Sequence, residues 1–168
     1  MRLLLVACLL VGCAEEKPRA VAPPASPHVA LEGVSLAEGV GDKKVWSLEA
    51  DRIDYLPDGR VANLQNVKAG FYEHGTLVSK GVAPVAQLRV GERRFGLSKV
   101  RVTSPAGETG FESKDAAWRP DTGKLEATGP VKYWRPIGKI EAGGLKADRG
   151  LKKVELVGGV HGTLKVSQ

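Results

Sequence analysis

The residues of this chain with reactive side chains are two cysteines, three histidines and a scatter of serines and carboxylates. The sharpest spacing lies at the amino terminus. Leu10-Val11-Gly12-Cys13 sets a bulky apolar residue and two smaller ones before a cysteine, the order that lipoprotein processing reads. The thiol there is alkylated by a diacylglyceryl group, and Cys13 becomes the first residue of the mature chain, with further acylation of the palmitate type. A second match, Leu5-Val6-Ala7-Cys8, has too little apolar sequence before it to serve. Met1-Arg2 is a basic start, and the apolar run from Leu3 to Gly12 is about 10 residues long, against the roughly 20 a helix needs to span a bilayer. Residues 1–12 therefore read as a signal peptide. With Cys8 in this leader and Cys13, the one thiol of the mature chain, lipidated, no disulfide is available, and stability must come from core burial and strand ladders. Several acyl chains on one residue suffice for stable anchoring.

The other reactive side chains do not assemble into a catalytic pattern. His28, His74 and His161 are far apart, and no close pair offers metal-ligand spacing, so neither a metal nor a cofactor is expected. Ser79, Ser98 and Ser113 lack a nucleophile elbow. Glu49, Glu112 and Glu141 recur after an apolar residue, and a carboxylate pair for glycoside chemistry is one reading. Their regular outward position on strands makes a solvated sheet face the better one. The chain reads as non-enzymatic.

The formal net charge is +6, with basic pairs at Lys43-Lys44, Arg93-Arg94 and Lys152-Lys153. At a cell envelope this balance suits anionic partners such as phosphorylated lipids. Arg93, Arg94, Lys152 and Lys153 are the candidate phosphate contacts. An exported chain does not meet nucleic acid, so no nucleic-acid partner is expected.

Residues 13–28 hold the candidate lipidated cysteine and a stretch rich in proline, alanine and charge, which reads as a linker. Extended at about 3 Å per residue, it would reach roughly 40 Å from the membrane. Residues 29–168 then form one domain. Helical periodicity is nearly absent, and period-two alternation takes its place. Val45-Trp46-Ser47-Leu48-Glu49-Ala50 puts Trp46, Leu48 and Ala50 on one face. Segments around Leu88, Val100, Leu125, Val154 and Leu164 alternate likewise. Turn signals separate them at Pro57-Asp58-Gly59, Pro105-Ala106-Gly107, Pro120-Asp121-Thr122-Gly123 and Gly143-Gly144. The expected fold is all-β, a chain of short antiparallel strands.

Beneath the strands lies a repeat. Leu48-Glu49-Ala50, Phe111-Glu112-Ser113 and Ile140-Glu141-Ala142 each open a unit that turns and closes on a valine: Val67, Val131 and Val160, with Val100 in a weaker copy. A period of about 30 residues marks hairpin units stacked so that each buries its apolar face on its neighbours.

The segment from Val45 to Tyr55 resembles the tryptophan-leucine-alanine strand of LptC-like proteins. Gly129-Pro130-Val131 and Gly158-Gly159-Val160 resemble the glycine-valine repeats shared with the related OstA/LptA-type proteins. The resemblance implies a periplasmic, folded-over and twisted β-jellyroll that holds lipopolysaccharide acyl chains in an apolar groove. It also implies an inner-membrane ABC transporter as supplier and a further periplasmic jellyroll as receiver, joined by edge-strand pairing. Val160, Leu164 and Val166 on the terminal strand would form that edge. Members of this kind begin with a transmembrane helix, whereas this chain has a lipoprotein signal. The resemblance favours the inner membrane, while Ala14-Glu15-Glu16 lacks the aspartate that favours retention there.

On this reading the groove is lined by Trp46, Leu48, Ile53, Leu88, Phe95, Leu97, Phe111, Trp118, Leu125, Ile140, Val154 and Leu156. Trp118 and Trp134, beside Arg119-Pro120 and Arg135-Pro136, are candidates for its rim. The alternative is an envelope lipoprotein whose β-domain is closed on these same residues and acts as a structural or protein-interaction module. Apolar surface open to a ligand separates the two.

Overall fold

A computed structural model describes residues 29–164. The expected signal peptide, Cys13 and the expected linker lie outside them, as do Val166 and the side chain of Leu164. The described residues form ten strands: β1 (Val29–Val40), β2 (Lys43–Tyr55), β3 (Val61–Glu73), β4 (Thr76–Arg89), β5 (Arg94–Thr103), β6 (Gly110–Arg119), β7 (Lys124–Arg135), β8 (Gly138–Asp148), β9 (Val154–Val157) and β10 (His161–Leu164). All pairs are antiparallel, and β1 to β8 follow sequence order across one sheet. Two short strands share the far side of β8, β9 pairing with its carboxyl-terminal half and β10 with its amino-terminal half. The first eight strands run longer than the alternating segments that announce them, because tight turns let pairing continue almost to each hairpin end.

One line of irregular backbone crosses every strand. Gly33, Asn66, Lys99, Gly129 and Gly158 all have positive φ and sit midway along β1, β3, β5, β7 and the β9–β10 junction. Each is followed directly, or one residue later, by Val34, Val67, Val100, Val131 or Val160. The valines of the repeat thus mark a crease in the sheet. A left-handed residue inside a strand redirects it, and five in register bend the sheet along one line. On the even strands the crease passes Asp51, Pro84, Lys114 and Gly143, between the paired residues on either side. Pro84 is tolerated because left-handed Asn66 opposite it already interrupts the ladder.

The glycine pair Gly143-Gly144 is not a turn. It lies inside β8, where the crease crosses it. A Cβ on Gly143 would stand 3.3 Å from the Cα of Gly158, a tight contact, so glycine here lets the two backbones come close without displacing either. A glycine pair inside a strand carries the same local signature as a hairpin turn, and only pairing on both sides distinguishes them.

The crease divides the sheet into two leaves that face one another. Leaf A holds residues 29–32 of β1, 61–65 of β3, 94–98 of β5, 124–128 of β7 and β9 with the carboxyl-terminal halves of the even strands; leaf B holds the rest. One core cluster fills the space between them.

Candidate functional site

Alternation sends every second side chain of each leaf into the seam. In leaf A the register aligns Leu31, Ile53, Leu64, Ala86, Leu97, Ala116, Ala127, Leu145 and Leu156 across the strands. In leaf B it aligns Leu36, Leu48, Ala69, Gly81, Val102, Phe111, Tyr133 and Ile140. The result is a continuous apolar inner face. Burying each large side chain on it stabilises the fold by about 1.5–3 kcal/mol.

All twelve candidate groove residues belong to this inner face. Leu48, Ile53, Phe95, Leu97, Phe111, Trp118 and Leu125 are buried in the core. Trp46, Leu88, Ile140, Val154 and Leu156 are half-buried against it. Phe111 is 0 % exposed, and the void bounded by Leu48, Phe71, Val102 and Trp118 measures only about 10 Å³. The inner face is therefore closed on itself, and it is most open along β1, where Leu31 is 44 % exposed.

Opposite the crease, aromatic rings from both leaves interlock. Trp118 and Phe95 of leaf A stack with centroids 4.9 Å apart. Trp46 and Phe71 of leaf B meet Trp118 edge-on at 5.1 and 5.0 Å. Trp118 is 2 % exposed, and its Nε1 is buried without a hydrogen-bond partner among the described residues. An orphaned donor of this kind costs about 1–3 kcal/mol. Trp118 is therefore in the seam rather than at a wet rim. Trp134 does not border the seam: it lies on the outer face of leaf B, its Nε1 donating to Gly107 O at 3.1 Å.

Two ion pairs stitch the margin beside the rings. Arg93, in the β4–β5 turn of leaf A, donates to Glu38 of β1 at 2.8 Å, and Trp46 Nε1 donates to the same carboxylate at 2.9 Å. Lys152, in the β8–β9 loop, reaches Glu73 of β3 at 2.5 Å. Next to it Leu151 is buried in the core, and Ser79 Oγ donates to Arg149 O. The β8–β9 loop is thus a clasp from leaf A onto leaf B. Of the four candidate phosphate contacts, Arg93 and Lys152 are held in these pairs, Arg94 is half-buried near Asp115 and Glu126 on the outer face of leaf A, and Lys153 is exposed. They do not converge on one point.

The hydrogen bond from Trp46, with those of Arg93, holds the Glu38 carboxyl below its ordinary value of 4.5. The hydrogen bond from Lys152 does the same for Glu73. A carboxyl held low in the folded state stabilises it above the ordinary value, and that contribution fades as pH falls through the lowered one. Both stitches should therefore loosen in acid, below about 4.5. Indole emission should shift to longer wavelength there as Trp46 becomes wetter, and Glu38→Gln should flatten that change at Trp46. A profile unmoved by Glu38→Gln would mean the stitch carries no weight.

Ser79 and Ser113 are buried and satisfied by backbone carbonyls, Ser113 Oγ donating to Asp115 O at 3.0 Å. Glu112 lies on the outer face beside Arg101, and Glu49 and Glu141 are exposed at outward positions. Among the described residues no group of three or more His, Cys, Asp or Glu side chains could hold a metal ion. Sequence reasoning missed Phe71 and Tyr133, although Val67-Lys68-Ala69-Gly70-Phe71 and Val131-Lys132-Tyr133 alternate visibly. It had no signal for Glu38 or Glu73, whose partners are remote in the chain.

At the carboxyl-terminal edge, β10 pairs with β8 on one side and has no strand on the other among the described residues. Val160, just before it, is 51 % exposed, and β10 includes Leu164. At the opposite edge β1 is paired only with β2 among the described residues.

The sequence pattern of the family described as "Lipopolysaccharide-assembly, LptC-related" matches residues 4–165. No curated protein matches the chain. Among solved structures, it is similar to the crystal structure of LptH, described as the LptA homologous periplasmic component of the conserved lipopolysaccharide transport device from Pseudomonas aeruginosa. The TM-score is 0.53 at 8 % identity, covering 72 % of this chain and 95 % of that one. At that identity the likeness is one of fold.

Proposed function

The chain belongs to the LptC-related lipopolysaccharide-assembly family, and from that membership we propose that its seam takes up the acyl chains of lipopolysaccharide and passes them on in the periplasm. One observation carries the reading. The two leaves present a continuous apolar inner face that is hinged at one margin and held at the other only by side-chain contacts. Exposed ion pairs add little to stability, so what parting the leaves chiefly separates is the apolar core between them, with the four aromatic rings at its margin. Acyl chains entering the seam would replace the contacts that the rings give up. Transfer then works by affinity and proximity: the chains leave one seam when a second apolar face is docked alongside.

Docking would use the side of β10 that has no strand among the described residues, with Val160 and Leu164, to continue the sheet into the next jellyroll by strand addition. An inner-membrane ABC transporter would supply both lipopolysaccharide and energy, since this role requires no catalysis by the chain itself. The signal peptide at residues 1–12 and acylated Cys13, with the linker through residue 28, would tether the domain to the membrane, the inner one in keeping with the family. The tight core and its void of about 10 Å³ favour a second reading, a closed β-domain that acts only through its edges.

A photo-crosslinking residue at Ile140 decides between them. Ile140 is half-buried on the inner face and tolerates the added bulk better than fully buried Phe111; Glu141 beside it points outward and serves as the control. Lipopolysaccharide adducts at Ile140 and not at Glu141, in irradiated living cells, are the expected result. Protein adducts alone at Ile140 would establish the closed-domain reading.

A further inference from the structure

The outer face of leaf B carries a large excess of positive charge. Lys80, Lys99, Arg101, Lys114, Lys132 and Lys139 surround two adjoining shallow depressions on β4 to β8, with Glu112 inside and Glu141 beside them. Six cations against two carboxylates leave an excess of four, within a chain whose whole formal excess is +6. Leaf A is closer to balance: one depression holds Arg94 against Asp115 and Glu126, and another, on β7 to β9, sets Lys124, Arg135, Lys146, Lys152 and Lys153 against Glu126, Asp148 and Glu155. Strand alternation alone asks only that outward residues be polar, and it does not account for like charges gathered on one leaf.

At the centre of the cations lies Trp134. A Cβ on Gly110 would stand 2.6 Å from the Trp134 ring, so the ring rests directly on the sheet where Gly110 leaves room for it. The Arg101 guanidinium stands 5.7 Å from the ring centroid. Val82 lines both depressions, and Ile137, in the turn that follows Trp134, is 59 % exposed. An exposed valine, an exposed isoleucine and a half-buried indole, ringed by flexible ammonium groups, match the boundary layer of a bilayer. There indoles settle at headgroup depth and lysines extend to phosphates.

We propose that this face docks the domain onto the phosphate headgroups of an anionic bilayer, with Trp134 at the interface and Lys132 and Lys139 among its phosphate contacts. The surface is distinct from the seam: lipid acyl chains held inside and a membrane touched outside are separate events, and failure of either leaves the other standing. Docking keeps the domain beside the membrane within the span its linker allows.

The test uses the full chain purified from membranes and reconstituted into vesicles of phosphatidylcholine, with or without phosphatidylglycerol, made with bromine-labelled acyl chains that quench nearby indoles. Trp118 is buried and Trp46 half-buried in the seam, so they give a common background. The expected result is quenching above the Trp134→Phe background in anionic vesicles, absent in neutral ones and abolished by high salt. K132Q/K139Q should weaken docking about thirty-fold, at the usual contribution per basic residue near an anionic surface, and bring quenching down to the Trp134→Phe level. Equal quenching in wild type and Trp134→Phe would overturn the proposal. So would quenching that persists in K132Q/K139Q, or a lysine requirement seen only with purified lipopolysaccharide in place of vesicles.

Discussion

Replacing Trp118 with alanine should cost about 3–5 kcal/mol of stability, the usual penalty for emptying a large aromatic site in a core. Trp118 is the ring that the other three share: Phe95 stacks on it, and Trp46 and Phe71 meet it edge-on from the opposite leaf. Its removal takes away the central contact of the closed margin as well as its own burial. Against a total of about 5–15 kcal/mol for a domain, the variant should be marginal, with a melting temperature lower by roughly 10–20 °C. Trp118→Phe separates the two components of the effect. It keeps most of the ring but removes the orphaned indole N–H, whose burial costs about 1–3 kcal/mol. Lost packing and the relieved donor should nearly cancel, leaving a change within about 1 kcal/mol. Urea denaturation of both variants measures this. An alanine variant less than about 1 kcal/mol weaker than wild type would show that the rings contribute little to holding the leaves together.

Truncation after Gly158 should abolish docking to the next jellyroll while the domain stays folded. The deletion removes β10, which pairs only with the amino-terminal half of β8 and whose residues His161, Gly162 and Thr163 are exposed. Little apolar area leaves with it, so the stability change should stay near or below about 1 kcal/mol, the loss being a few exposed ladder hydrogen bonds. The edge left behind, at residues 138–142, presents Ile140 and Glu141 in place of the original strand. Co-purification with the receiving protein should fall to background, and cells relying on the truncated chain should accumulate lipopolysaccharide at the inner membrane. Undiminished co-purification would move the docking edge to β1, the other margin of the sheet.

These expectations rest unequally on the sequence. Period-two alternation identified the inner face, and all twelve candidates from Trp46 to Leu156 are indeed in the core or packed on it. Alternation is a local property, enforced residue by residue by the pleat, so a reader of sequence sees it directly. The repeat of about 30 residues was equally legible, and its valines follow the left-handed residues of the crease. What the repeat could not reveal is that Asn66 and Lys99 take a conformation more usual for glycine, or that Gly143-Gly144 belongs to a crease rather than a turn.

The family and the all-β jellyroll were determined by the order of residues along the chain, because strands, turns and their repeat are set by neighbours a few positions apart. Whether the inner face is open or shut was decided only by the tertiary structure. Trp118 meets Phe71, Arg93 meets Glu38, and Lys152 meets Glu73 because one crease swings two leaves together. The gathering of Lys80, Arg101, Lys132 and Lys139 around Trp134 is of the same kind. These residues come from four strands scattered along the sequence, and only sheet register makes them neighbours. A side chain's face is written in its own strand, but the residue it will meet is written in another.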